Sequence, residues 1–196
     1  MIYSLKGIVE ELNPTHAVIE VNGVGYLVGL SLQSSSNLRV EKEAHLFIQQ
    51  VIREDAHLLY GFYTRDERDL FNLLISVNGV GPSSAILMLS SLSNEDIANA
   101  IMEKNSGVLQ KVKGIGAKTA ERIIVDLHDK MEKFVQEDRE IIAGNLLGNK
   151  VKNEALQALE VLGVGRKVAE KIADIVIKSN QEITVEELIR QILKRL

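Results

Sequence analysis

Two stretches of the chain share one arrangement of glycine, apolar and small residues, and the second lies 35 positions after the first. Residues 77–85 and 112–120 each carry two glycines around one apolar residue, followed four positions later by an alanine. Glycine accepts the positive φ or the close backbone approach that such a tight turn needs. A helix that begins after the second glycine has free N–H groups and the positive end of its dipole in its first turn, and both attract anions. The pattern therefore favours binding of phosphate groups.

The repetition indicates a tandem helix-hairpin-helix, which holds the backbone of nucleic acid. One glycine turn between two helices can be a simple connector, whereas two turns in register can contact both strands across a groove. We call residues 77–85 the first hairpin and residues 112–120 the second hairpin. The second is richer in cations, because the first carries serines where cations could lie. The predicted DNA contacts are Gly79, Val80, Gly81, Ser83, Lys113, Gly114, Ile115, Gly116, Lys118, Thr119 and Arg122.

Composition limits the compartment and the chemistry of the chain. Its 196 residues have room for two domains or three small ones, and none of them is cysteine. Disulfides, thiolate metal sites and cysteine nucleophiles are therefore excluded, and a reducing compartment fits best. The charges at Lys6 and Glu10 argue against a signal peptide, and no apolar run approaches the ~18 residues of a membrane span. We expect a cytoplasmic protein with no membrane contact.

The net charge of -4 argues against binding of nucleic acid by a generally basic surface. Any DNA contact must therefore be a local face of the protein. The acidic remainder must lie away from the DNA or act on it by repulsion.

Residues 1–63 have the alternating apolar pattern of β-strands. Asn22 and Gly23 form a strong hairpin signal between the second and third strands, and a serine-rich stretch at residues 34–37 is typical of a loop. Five strands of this length predict a small OB-like barrel. Barrels of this kind often bind single strands on stacked aromatic rings, but we expect the aromatic residues here to serve the core and cross-strand pairs.

Residues 64–133 change to a helical period and include both hairpins. Ser93 begins a stretch with good capping chemistry, which predicts a helix between the two hairpins. Residues 134–151 mix polar and glycine residues and predict a flexible linker. We therefore expect an all-α helix-hairpin-helix domain followed by a linker.

Residues 152–196 predict three short amphipathic helices, the last after a capping box that starts at Thr184. The glycine pattern returns at residues 163–169, which we call the third hairpin. We give it less weight as a DNA contact, because the helix before it is short and no partner copy follows. A small bundle after a linker typically docks on another protein. The candidate docking residues are Leu162, Ile189 and Leu193. The predicted fold class is multidomain α+β, with an OB-like barrel, an all-α hairpin domain and a three-helix bundle.

Two kinds of chemistry are not expected. Residues 116–119 resemble the end of a phosphate-binding P-loop, but Ala117 replaces a glycine and no strand precedes it, so the chain alone should not hydrolyse ATP. The histidines lie in different elements without the spacing of metal ligands, and we predict no catalytic residues, no metal and no cofactor. These histidines are His16, His45, His57 and His128.

Glu54 and Asp55 form an acidic pair at the predicted tip between the fourth and fifth strands. Adjacent carboxylates could hold Mg²⁺ and cleave DNA, but a two-metal site needs several more carboxylates, and none is evident. A solvated turn is one alternative. The other is a pair of negative charges placed where phosphates must be pushed apart.

In combination, residues 53–62, 78–82 and 114–122 closely resemble the RuvA family of bacterial Holliday junction proteins. The resemblance spans the whole chain, including the linker and the C-terminal helices. It implies a homotetramer with fourfold symmetry that holds a four-way junction open and square. The hairpins of each subunit would grip one duplex arm through the minor groove, and Glu54 and Asp55 would form an acidic pin at the centre.

The resemblance also implies partners for the chain. The C-terminal domain would recruit the RuvB ATPase, the motor for branch migration, and the RuvC resolvase is a further expected partner. The chain would then be a non-catalytic subunit of an ATP-dependent helicase complex. Such a complex serves recombination, DNA repair and the SOS response to DNA damage.

The chain departs from the family pattern at Ser83 and Ala117, where members commonly carry lysine. Hairpin contacts should then depend more on backbone N–H groups, on Lys118, Thr119 and Arg122, and on extra cations such as Lys113 and Lys111. The linker also looks short, which restricts the reach of the C-terminal domain.

Two other functions compete with the one that the resemblance implies. The first is a monomeric repair accessory protein that binds duplex through its hairpins without preference for junctions. The second, ranked lower, is junction cleavage at the acidic pair, for which Mg²⁺-dependent cutting would be the sign.

Overall fold

A computed structural model describes the backbone of residues 1–142, 148–179 and 183–195, and the side chains of residues 1–131, 151–166, 168–177 and 183–195. The chain divides into two compact units, Met1–Glu132 and Lys133–Leu196. The first unit contains a β-barrel and the helices that carry the first and second hairpins. The second unit contains the C-terminal helices. No helix among the described residues is both long and apolar enough to cross a membrane.

Five strands close into a barrel in the order β1-β2-β3-β5-β4, which confirms the predicted OB-like barrel. Every neighbouring pair is antiparallel except β3 and β5, which run parallel and complete the closure. Asn22 and Gly23 have φ values of 50° and 83°, which suit the two-residue hairpin that the sequence predicts. The strands are β1 (Ser4–Asn13), β2 (His16–Val21), β3 (Val24–Leu30), β4 (Glu43–Ile52) and β5 (His57–Phe62).

A short helix, α1 (Leu32–Ser36), lies between β3 and β4, where we predicted a serine-rich loop. The hydroxyl of Ser31 caps α1 by accepting a hydrogen bond from the Ser34 N–H at 3.0 Å. Ser31 and Ser34 are both fully buried, which is unusual for residues of a surface loop. The prediction was wrong because the stretch is stabilised by contacts with a later part of the chain.

Four helices and the start of a fifth complete the first unit. The first hairpin connects α2 (Arg65–Ile75) to α3 (Pro82–Ser91), and the second connects α5 (Ser106–Leu109) to α6 (Ala117–Ile142). Between them, α4 (Asn94–Met102) begins at Ser93 with a reciprocal capping box to Asp96, as the sequence predicts. The helical period thus identified this region correctly.

The second unit contains α7 (Gly148–Val161), α8 (Arg166–Ser179) and α9 (Val185–Leu193), the three helices that the sequence predicts. Thr184 caps α9 through the N–H of Glu187. The predicted linker differs: residues 134–142 continue α6 and residues 148–151 belong to α7, while residues 143–147 lie outside the described residues. Most residues of 134–142 are good helix formers or apolar, so they extend the helix before them. The buried core of the unit comprises Ala155, Leu156, Leu159, Ala169, Ala173, Val176, Ile183, Leu188 and Ile192.

Candidate nucleic-acid interface

The first hairpin turns at Gly79, whose φ of 93° lies in the left-handed region that favours glycine. Val80 follows and points into the protein, with 5% of its surface exposed, and its N–H donates to the Val77 carbonyl at 3.0 Å. Gly81 then forms the N-cap of α3, and Pro82 takes the first helical position. Because Gly81 has no side chain to cap the helix, the N–H groups of the first turn of α3 remain free to face a ligand.

The second hairpin repeats this geometry. Gly114 has a φ of 91°, Ile115 is also 5% exposed, and the Ile115 N–H donates to the Val112 carbonyl at 3.1 Å. Ala85 and Ala120, four residues after the second glycine of each hairpin, are both fully buried. The Ala85 N–H donates to the Gly81 carbonyl at 3.0 Å, and the Ala120 N–H donates to the Gly116 carbonyl at 2.9 Å. The two hairpins are therefore structurally equivalent.

Neither backbone strain nor packing requires glycine at Gly81 or Gly116. Neither has a positive φ, and a Cβ placed on either would meet no atom of the chain within 4 Å. Without a side chain, the backbone at Gly81 and Gly116 can be approached closely by something outside the chain. The backbone at these two positions is thus open to a ligand that lies directly against it.

Positive charge is concentrated at the second hairpin. Lys113, Lys118 and Arg122 are all exposed, and Arg122 forms an ion pair with Asp126 one turn later at 3.9 Å. Among the described side chains, no carboxylate forms an ion pair with Lys113 or Lys118. Ser83 is exposed at the start of α3 and adds a hydroxyl rather than a charge. The second hairpin can therefore hold phosphates by charge as well as by N–H groups, whereas the first depends on its backbone.

Glu54 and Asp55 lie at the end of the β4–β5 hairpin, and we call them the acidic tip. The turn is closed by a hydrogen bond from the Arg53 N–H to the Ala56 carbonyl at 2.8 Å, and both carboxylates are exposed. In the described part of the chain, no three His, Cys, Asp or Glu side chains are grouped to hold a metal ion. The acidic tip thus presents two negative charges to solvent from the barrel.

The helix α2 lies against the outside of the barrel and connects it to the first hairpin. The Phe71 ring lies 4.9 Å from Phe62 and 5.3 Å from Tyr60, measured between ring centroids. The Arg68 guanidinium lies 4.5 Å above the Tyr3 ring and donates twice to Asp69. Burial lowers the pKa of Arg68, but its interactions with Tyr3 and Asp69 outweigh this, so the net shift is upward. We did not predict the contacts of Phe71 with the barrel or the stacking of Arg68 on Tyr3, because both depend on how α2 packs against the strands.

The third hairpin has a different backbone path. The Val164 N–H donates to the Leu159 carbonyl at 2.9 Å and the Gly163 N–H donates to the Glu160 carbonyl at 3.0 Å, which is the Schellman pattern of a helix C-terminus. In the first and second hairpins the apolar residue instead donates to the residue three positions earlier. The third hairpin therefore resembles the other two in sequence more than in structure.

The three docking candidates differ in accessibility. Leu162 is 63% exposed at the end of α7, and Leu193 is also exposed in α9. Ile189 is partly buried and packs against the core of the helical unit. Two of the three side chains are thus available to another molecule.

Comparison with protein families finds three matching regions, which correspond to the barrel, the helices that carry the first two hairpins and the C-terminal helices. Residues 1–61 match the RuvA N-terminal domain, residues 71–129 match the SAM-like tandem helix-hairpin-helix, and residues 150–196 match the RuvA C-terminal domain. The chain is 44% identical over its whole length to proteins of Christiangramia forsetii and Flavobacterium psychrophilum, and 42% identical to one of Bacteroides fragilis. Each of these relatives is also covered over its whole length, and each is named Holliday junction branch migration complex subunit RuvA. With a matching domain at each end, a matching hairpin pair between them and full-length relatives, the chain belongs to the RuvA family.

Proposed function

We propose that this chain is the DNA-binding, non-catalytic subunit of a branch-migration complex and that it binds four-way junctions. The observation that carries the proposal is the pair of equivalent hairpins, each with an open glycine at the start of a helix. Contacts of this kind use phosphates and ignore base sequence, so the shape of the DNA must supply the specificity. The names of the relatives support a junction as the DNA shape.

The acidic tip supports a role in selecting branched DNA. It extends from the barrel on the β4–β5 hairpin, and both of its carboxylates are exposed to solvent. Two carboxylates repel phosphates, so a continuous duplex that crosses them loses binding energy. At the open centre of a junction the strands diverge, and the same charges can lie between them.

We further propose that four copies form a ring. An apolar row on the outside of the barrel supports this, because exposed apolar patches commonly mark protein interfaces. Val18 of β2 pairs with Leu27 of β3, and Val51 of β4 pairs with Leu58 of β5. Leu27 and Leu58 each come one residue before Val28 and Leu59, which are paired across the parallel strands β3 and β5. Leu27 is 64% exposed. We call Val18, Leu27, Leu58 and Val51 the barrel row. Val51, at the end of the row, is two residues before Arg53 and hence close in sequence to the acidic tip. Copies that meet along the barrel row would therefore bring their acidic tips near one another.

The second unit is the proposed docking site for the RuvB ATPase. Exposed apolar side chains lie at the end of α7 and along one side of α8, where Val168 and Ile175 are seven positions apart and hence on the same face. With Leu162 they form the docking face that we propose. Leu193 remains a candidate, whereas Ile189 is better explained by its packing in the bundle.

A titration of the protein with a four-way junction and with a linear duplex of equal length tests the proposal, together with a mass measurement in solution. We expect tighter binding to the junction and the mass of a tetramer. Equal affinity and a monomeric mass would favour the duplex-binding accessory protein instead. Mg²⁺-dependent cleavage of the junction by the purified chain would favour a nuclease.

A further inference from the structure

A buried carboxyl group connects the barrel to the hairpin helices. Glu67, in the first turn of α2, is 3% exposed. It accepts one hydrogen bond from the Ser31 hydroxyl and a second from the Ser34 hydroxyl at 2.6 Å. Among the described side chains no Lys, Arg or His forms an ion pair with it, so both of its oxygens depend on hydroxyl groups of the barrel segment around α1.

Other hydrogen bonds extend this connection along α1. The Tyr63 N–H donates to the Ser34 hydroxyl at 2.7 Å. At the N-terminal end of α1, the Leu32 N–H donates to the Ser90 hydroxyl at 3.0 Å, and the Gln33 side chain donates to the Leu92 carbonyl at 2.8 Å. The helix thus contacts both α2 and α3, the two helices that flank the first hairpin. We call Ser31, Gln33, Ser34, Glu67 and Ser90 the joint.

The joint is more directional than the aromatic packing between the barrel and α2. Aromatic packing of Phe71 on Phe62 and Tyr60 buries apolar area and depends only weakly on the exact angle between the elements. Hydrogen bonds weaken steeply with misalignment, and a buried carboxyl group that loses its donors is strongly destabilising. The aromatic contacts therefore hold the two parts together, and the joint selects one angle between them.

This angle relates the acidic tip to the first hairpin. The tip extends from β4 and β5 of the barrel, whereas the hairpin lies between α2 and α3. We propose that the joint is a positioning device for selectivity, with Glu67 as its central positioning residue: it holds the acidic tip at the one angle to the hairpins that a junction accepts and a linear duplex does not. This inference rests on the proposed function, but its structural part can be tested alone.

The carboxyl group of the joint can be removed together with both of its hydroxyl donors. In Ser31→Ala/Ser34→Ala/Glu67→Met no buried carboxylate is left without donors, but the N–H groups of Ser34 and Tyr63 lose their hydroxyl acceptors, so we expect a lower melting temperature. A second variant, Gln33→Ala/Ser90→Ala, breaks only the outer, less buried end of the joint. Ser36→Ala is the matched control, because the Ser36 hydroxyl donates only to the Gln33 carbonyl within α1. Melting temperatures of all variants show whether each is folded.

Two measurements test the proposal. The chain has no cysteine, so His57→Cys on the barrel and Ser76→Cys before the first hairpin accept spin labels selectively, and dilution with unlabelled chain isolates the distance within one subunit. We expect a narrow distance distribution in the otherwise unaltered chain and in Ser36→Ala, and a broader one in both joint variants.

The second measurement is the ratio of junction affinity to linear-duplex affinity. We expect this ratio to fall about tenfold in the triple variant, with duplex affinity within about twofold of the original, because each hairpin is intact.

Different outcomes contradict different parts of the proposal. An equally narrow distribution in both joint variants would show that the joint does not set the angle. A broad distribution with an unchanged affinity ratio would show that the angle does not set selectivity. If the unaltered chain itself has no preference for junctions, the proposed function fails, and the distance measurement still decides whether the joint fixes the angle.

Discussion

Val80 and Ile115 occupy equivalent positions in the two hairpins, and each exposes 5% of its surface. Each follows a glycine with a φ near 90° and donates its N–H to the valine three positions earlier. Because these anchors are equally buried, the backbone on either side of them is held in the same way relative to the core. The two hairpins should therefore contribute comparable backbone contacts with DNA, although their charges differ.

The open glycines give the most direct test of these contacts. Gly81→Ala and Gly116→Ala should change stability by less than about 1 kcal/mol, because the lower entropy of the unfolded chain favours alanine, whereas alanine is a poorer residue than glycine at the start of a helix. Each should weaken junction binding by roughly tenfold, since the new methyl group occupies the surface that the phosphate backbone approaches. Thermal unfolding and a binding titration measure the two effects separately.

Two other glycines serve as controls for this test. Gly79→Ala should lower stability by about 1–2 kcal/mol, because its φ of 93° is strained for alanine. Gly165→Ala has the same open surroundings as Gly81 but lies in the third hairpin, and it should leave DNA affinity unchanged. A loss of affinity there would identify the third hairpin as a DNA contact.

Charge at the second hairpin should determine the salt dependence of binding. If six or more phosphates are neutralised, affinity should fall by on the order of 10³ or more between 50 and 200 mM salt. Lys118→Ala/Arg122→Ala should lower affinity and flatten this slope. Of the two single variants, Lys118→Ala should lower affinity more than Arg122→Ala, because Asp126 already offsets part of the Arg122 charge. Lys130→Ala, an exposed lysine further along α6, is the control; equal slopes in all variants would remove the second hairpin from the interface.

Neutralising the acidic tip should relax selectivity without weakening junction binding. Glu54→Gln/Asp55→Asn removes the carboxylates that repel phosphates, so junction affinity should stay equal or rise and linear-duplex affinity should rise more. Glu10→Gln/Glu11→Gln removes two exposed charges from β1 and separates a local effect from one of net charge. Loss of junction binding would instead point to a metal site or a structural role for the tip.

The barrel row should control assembly. Leu27→Glu places a charge in the middle of the row, and burying an unpaired charge at an interface is strongly unfavourable. The solution mass should drop below that of a tetramer, as measured by light scattering. Val161→Glu changes an even more exposed apolar side chain in the second unit and should leave the mass unaltered. A tetrameric Leu27→Glu variant would move the interface away from this row.

Removal of the second unit should separate DNA binding from motor recruitment. The two units part after Glu132, so a fragment of residues 1–133 should remain a tetramer and bind junctions. It should fail to stimulate branch migration by the ATPase, measured as displacement of labelled strands. Leu162→Ser/Ile175→Ser in the full chain should reproduce this failure with an intact bundle, whereas Ile189→Ser should lower the stability of the bundle. Migration at the full rate by the fragment would contradict the docking assignment.

Local patterns were sufficient to predict much of the fold. The β2–β3 hairpin follows from Asn22 and Gly23, and the capping of α4 and α9 follows from Ser93 and Thr184, because each of these signals acts within a few residues. The two hairpins could be identified for the same reason. Their turns depend on glycine, one apolar anchor and the start of a helix, all within nine residues of sequence.

The parts that could not be predicted depend on distant partners. Ser31 and Ser34 look like loop residues, and Glu67 looks like a solvated acid in the first turn of a helix; only the fold buries them together. The third hairpin shows the converse case. Its glycines match the pattern, but a helix that ends closer to them produces a Schellman turn instead, and spacing relative to helix ends is the least certain part of a sequence prediction.

The joint also has a consequence for the order in which the chain folds. The segment from Ser31 to Ser34 precedes β4, yet its hydrogen-bonding partners extend to Leu92, so it cannot be satisfied when only the barrel sequence has left the ribosome. A nascent barrel must keep these hydroxyls solvated until α2 and α3 have been synthesised. The barrel and the first hairpin should therefore unfold and refold in one cooperative transition, although the sequence divides them into two domains.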